Sequence, residues 1–109
     1  MAELAPPLQP IELEEGQSRS FTALRWETGE AIITPGHAPQ GKKINVLRIH
    51  VRPEDAPGFP HYIDITSARL FAQLRPQLDI TGRLIVRWTI TAHGIAPKKY
   101  FTVERVPAS

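Results

Sequence analysis

Ile44-Asn-Val-Leu-Arg-Ile-His-Val-Arg52 settles into strict alternation, with Leu47, Ile49 and Val51 on one side and Arg48, His50 and Arg52 on the other. Period two is the pattern of a strand with one face in a core and the other turned away from it. Residues 62–66 repeat it in short form, Ile63 and Ile65 against Tyr62, Asp64 and Thr66. Ser67 then stands where a helix N-cap belongs. Leu70, Phe71, Leu74 and Leu78 follow at helical spacing, with Arg69, Gln73 and Gln77 largely off that side. Pro76 is expected to end or kink this helix near Arg75, because it lacks the amide donor and crowds the preceding turn. Residues 83–91 return to period two, Leu84, Val86, Trp88 and Ile90 against Ile85, Arg87, Thr89 and Thr91. After a turn at 93–97, residues 99–106 set Phe101 and Val103 against Tyr100, Thr102 and Glu104. The order from Lys43 onward is therefore two strands, one helix and two strands.

Upstream, β-favouring residues at 18–26 and 31–34 flank Glu27-Thr28-Gly29-Glu30, which reads either as a hairpin turn or as a bulge in one long first strand. The inward face of this segment is open as well: Phe21, Ala23 and Arg25 compete with Thr22, Leu24 and Trp26. Trp88, by contrast, shares its side with three aliphatic residues and belongs in the core. Residues 35–41 and 53–60 are dense in Pro and Gly and read as loops. Residues 1–16 carry Pro6, Pro7, Pro10 and four glutamates, and are expected to form an extended N-terminal arm packing by Leu8, Ile11 and Leu13 before a domain at 17–109.

A chain of 109 residues has room for one domain with one modest core. Thirteen Lys and Arg against eleven Asp and Glu leave a formal charge of +2, so attraction to an acidic partner must come from a local patch. Cysteine is absent, which excludes disulfides, thiolate metal sites and a cysteine nucleophile and fits a reducing cytoplasm. The acidic, proline-bearing start does not resemble a signal peptide, and no apolar run is long enough to span a bilayer, so a soluble cytoplasmic protein without membrane contact is expected. Gly36-His-Ala-Pro-Gln-Gly-Lys-Lys43 has the spacing of a phosphate-binding loop. It lacks the Ser or Thr that would hold magnesium and runs into a strand rather than a helix. His37, His50, His61 and His93 are too scattered for a zinc pattern, so no metal or other cofactor is expected. Asp55, Asp64 and Asp79 are similarly isolated, and Asp64 reads as a cross-strand ion partner for an arginine-bearing strand. No catalytic residues are assigned, and enzyme activity is not expected.

Strands, a helix, then two strands joined by a Gly/Pro/Lys loop and ending Lys99-Tyr-Phe-Thr-Val-Glu104 resemble the OB-fold of single-stranded DNA-binding proteins over residues 18–106. The likeness is one of element order and patterning, without a signature motif, and other small β-barrels are open on the same pattern. It implies a mainly β protein, a single five- or six-stranded antiparallel OB-like barrel with one short helix between strands three and four. The helix at 67–78 would plug the barrel floor. Ligands of that family cross strands two and three between the loops joining strands one to two and four to five, here 44–52, 62–66, 35–43 and 93–99.

Non-specific single-strand binding needs cations for phosphates and flat rings for bases. Parity turns Arg48, His50, Arg52 and Tyr62 outward together, and Lys42, Lys43, Lys98 and Lys99 would rim that face from the two loops. Tyr100 also points outward, and is expected to pack under the arm rather than stack. The expectation is single-stranded DNA or RNA binding with weak sequence preference. The alternative is a protein-interaction or assembly module that uses the arm or an exposed strand edge to take a protein partner.

Overall fold

A computed structural model describes residues 4, 7–33, 41–57, 60–81, 85–95 and 98–107. Its longest element is β1 (Ser18–Ile33), a single strand whose halves serve different partners. Residues 18–23 pair antiparallel with β4 (Val86–His93), and residues 23–33 pair antiparallel with β2 (Lys42–Val51). The register against β2 slips between Ala23 and Arg25, leaving Leu24 as a bulge. One extra residue reverses side-chain parity. Phe21 and Ala23 face the core before the bulge, and Trp26, opposite Ile49, packs against it afterwards. Both inward-face patterns in the sequence are thus correct, each for one half of the strand. There is neither a hairpin nor a bulge at Glu27–Glu30, where pairing with β2 is continuous; the bulge lies upstream at Leu24.

Short β3 (Tyr62–Ile65) pairs with β2, and β5 (Tyr100–Pro107) pairs with β4, giving one five-stranded antiparallel sheet in the order β3-β2-β1-β4-β5. The sheet is not closed into a barrel, which corrects the closed form expected from the sequence. Groups on both outer strands have other partners. Asp64 of β3 exchanges backbone hydrogen bonds with the arm, its amide donating to Gln9 at 2.8 Å and its carbonyl accepting from Ile11 at 3.0 Å. On β5 the Phe101 carbonyl accepts from Gln73 Nε2, and the Lys99 carbonyl just before the strand accepts from Arg69. Gly94 shapes the β4–β5 turn at φ +77°, where a Cβ would sit 2.9 Å from the Lys98 carbonyl.

Helix α1 (Ala68–Thr81) packs on one face of the sheet, burying Leu70, Leu74 and Leu78, with contacts to β2, β3 and β5. Ser67 caps it, Oγ accepting from the Leu70 amide at 3.3 Å. Of the two outcomes expected at Pro76, the helix does not end there: α1 continues to Thr81. Pro76 sits on the exposed side, where water can satisfy the carbonyl it orphans. Leu74 and Leu78 anchor the turns on either side, and Arg75 reaches Asp79 across the same interval. The core is the layer between helix and sheet: Phe21, Leu47, Ile49, Ile63, Ile65, Trp88 and Ile90 are its large members, closed at one margin by Leu13 of the arm with Ile11 packed beside it. Trp88 is in the core as its pattern requires. No helix among the described residues is long and apolar enough to cross a membrane.

Candidate functional site

The outward face of β2 and β3 is set by the same alternation that builds the core. Register places Arg48 opposite Asp64 and His50 opposite Tyr62. The guanidinium of Arg48 grips the Asp64 carboxylate with two bonds, Nε to Oδ1 at 2.7 Å and Nη2 to Oδ2 at 3.0 Å. It also stacks over the Tyr62 ring, Cζ lying 3.9 Å from the centroid. His50 meets Tyr62 edge-on at 5.7 Å and is held from the other side by Glu27, Nε2 to Oε2 2.9 Å. Asp64 is thus the cross-strand ion partner that the sequence indicated.

This face is covered. The arm runs over it, with the Leu4 amide donating to the Glu30 carbonyl at 3.0 Å and the Gln9 amide to Asp64 Oδ2 at 2.7 Å. Between these, the Pro7 carbonyl accepts from the Tyr62 hydroxyl and from Arg48 Nη2. As a result Arg48 is 3% exposed, Asp64 0% and Tyr62 9%, and Val46 on the same face is fully buried outside the core cluster. Burial works against the Arg48 cation, but the hydrogen bonds and charge of Asp64 outweigh it and hold the guanidinium above its ordinary pKa. Burial also pushes the Tyr62 hydroxyl up, against the opposing pull of Arg48, so it stays a donor.

The remaining candidates are dispersed. Arg52 is half-buried just after β2, Lys43 is exposed at the other end of β2, and Lys98 is exposed in the β4–β5 turn. Lys42 opens β2; residues 34–40, where the sequence reads a loop, lie outside the described residues, as does the Lys42 side chain. Lys99 is turned inward, its Nζ donating to the Leu13 carbonyl and lying 5.6 Å from the Phe101 ring centroid. Tyr100 does not pack under the arm. It is 51% exposed and stacks on His93 at 4.9 Å and 17°, with His93 Nε2 within 2.9 Å of the Thr102 hydroxyl.

Two features escaped sequence reading. Arg25 lies beside His50 on the outer face, 69% of its side chain exposed, and the bulge at Leu24 is what puts it there. On the other wing, Asp55 of a short 3-10 turn (Pro53–Asp55) accepts from the Thr22 amide at 2.9 Å and pairs with Arg87 at 3.3 Å, while its carbonyl takes Arg19. Isolated in sequence, Asp55 is brought to β1 and β4 only by the fold. A groove of about 710 Å³ opens between arm, helix start and β5, lined by Glu12, Glu14, Ser67, Arg69, Lys99 and Phe101. Arg69 and Lys99 spend donors on backbone carbonyls there. Among the described residues no group of three or more His, Asp or Glu side chains is placed to hold a metal ion. Comparison with protein families, curated proteins and solved structures finds no match to this chain.

Proposed function

We propose that this chain binds single-stranded DNA or RNA with little sequence preference, across the outer face of β2 and β3. The observation that carries the reading is the compact set of two cationic or ionisable groups on one aromatic ring, Arg48 at 3.9 Å and His50 at 5.7 Å from the Tyr62 centroid. Cation and ring together are what a phosphate–base repeat requires. The strand order supports it: β3-β2-β1-β4-β5 with a helix between β3 and β4 is the order of an OB-type barrel opened between its third and fifth strands. Lys42, Lys43, Lys98 and Lys99 mark the loops that would flank the strand. A cytoplasmic setting accords with the absence of cysteine. Binding rather than catalysis is proposed, because the acidic and imidazole groups at hand are engaged structurally: Asp55 with Arg87, Asp64 with Arg48, His50 with Glu27, His61 with the Ala56 carbonyl.

The test is titration of fluorescent oligo-dT, and of an equivalent duplex, at several salt concentrations. Micromolar or tighter binding of the single strand is expected, its logarithm falling with log salt by roughly 0.7 per phosphate neutralised. Lys43→Glu, Arg52→Glu and Lys98→Glu together should weaken it at least about tenfold with unchanged circular dichroism, since each reversal lies outside the buried ion pair. Absence of binding at low salt overturns the proposal. A second reading is then favoured by one observation: the edge of β3 already takes an extended segment in parallel pairing at Pro10 and Asp64, which is how a strand-capturing interaction module holds its partner.

A further inference from the structure

The arm meets the β2–β3 face with a specific atom at a specific place. Two donors of different kinds, the Tyr62 hydroxyl and Arg48 Nη2, converge on one oxygen, the Pro7 carbonyl. A phenol and a guanidinium aimed at a single acceptor are the donors a phosphate oxygen would take. Around that point the arm is tied by the Gln9 amide to the Asp64 carboxylate, by the parallel bridge at Pro10, which the Asp64 amide to Gln9 carbonyl and Ile11 amide to Asp64 carbonyl bonds make, and by the Leu4 amide to the Glu30 carbonyl. Past Leu13 the chain turns through Gly16, at φ +82° with nothing within 4 Å of its Cβ position, and enters β1. The described arm is acidic beyond its anchor, with Glu12, Glu14 and Glu15 exposed.

Resting on the nucleic-acid reading above, we infer that residues 7–11 are an intramolecular occupant of the binding face, and that a single strand gains Arg48 and Tyr62 only by displacing them. The Pro7 carbonyl holds the place of a phosphate oxygen, and the arm keeps the ion pair and the ring dry in its absence. Apparent affinity is then the intrinsic affinity scaled by the fraction of molecules with the arm open. Linkage makes the effect reciprocal, so bound strand must open the arm to the same degree that an opened arm favours the strand.

Gln9→Pro tests this from the arm and leaves every residue of the sheet in place. It deletes the amide that donates to Asp64 Oδ2, a charge-assisted bond whose loss raises the open fraction by at least about tenfold. Oligo-dT should bind the variant at least about tenfold tighter than the unmodified chain, with identical circular dichroism. In the unmodified chain, saturating oligo-dT should accelerate hydrogen exchange at the Ile11 amide and leave the Ile49 amide protected. Tightening by the variant, including binding seen only in the variant, supports the strap. Equal affinities with Ile11 exchange unchanged by oligo-dT overturn it and leave the nucleic-acid reading standing. Failure of both proteins to bind at low salt removes the nucleic-acid reading, and the strap with it.

Discussion

Replacing Arg48 by Met should be among the costliest single changes in this protein, and the reason lies in Asp64. The carboxylate is fully buried and receives two bonds from the guanidinium, at 2.7 and 3.0 Å, and one from the Gln9 amide at 2.7 Å. Without Arg48 a buried charge keeps a single amide donor, and breaking a buried pair from one side costs about 3–5 kcal/mol. A chain this size has total stability of roughly 5–15 kcal/mol, and 1 kcal/mol corresponds to about 4 °C, so the melting temperature should fall by about 12–20 °C. Asp64→Leu should cost a similar amount from the other side. The double variant Arg48→Met/Asp64→Leu removes both charges and orphans the Gln9 amide, for about 1–3 kcal/mol. Urea denaturation of the four proteins closes the cycle, with an expected coupling of at least about 3 kcal/mol between the two positions. Single losses below about 1 kcal/mol, or losses that add within about 0.5 kcal/mol, would refute the description of a dry, mutually dependent pair.

Pro76→Ala should stabilise the protein by about 2 kcal/mol, since it restores an interior helix amide on an exposed face and gives back only some unfolded-chain entropy; a lower urea midpoint would show that the proline is needed where it stands. Tyr62, held above the ordinary value of 10.0 by burial, should ionise late in an alkaline absorbance titration of the two tyrosines, and the late component should vanish in Tyr62→Phe. The sign follows from a raised folded-state value: the stabilisation is complete below pH 10.0 and is lost as pH rises through the folded value, so the arm anchor loosens only in strong alkali.

Element order and the sidedness of β2, β3 and β4 were legible in the sequence because each rests on period-two alternation, which a half-buried strand cannot avoid. What failed did so for identifiable reasons. One bulge residue, Leu24, reversed parity within β1, so neither inward pattern for residues 21–26 could hold along the whole strand. Pro76 did not end the helix because tertiary burial of Leu74 and Leu78 on either side outweighed it.

The candidate site shows a deeper limit of alternation. Period two says which face of a sheet a side chain points to, and it said correctly that Arg48 and Tyr62 point away from the core. It carries no information on whether that face meets water. Exposure here was settled by residues 7–11, whose pairing with Asp64 lies more than fifty positions away in sequence and depends on backbone amides and one proline carbonyl. Backbone groups have no side-chain signature, so nothing in the composition of the arm announces what it covers. The pair itself does leave a trace: an aspartate on the outward side of a four-residue edge strand, opposite an arginine, marks a cross-strand ion pair whether or not the face is covered. A short, charged edge strand of this kind is a place to look for a covering segment, because an unpaired edge is seldom left bare.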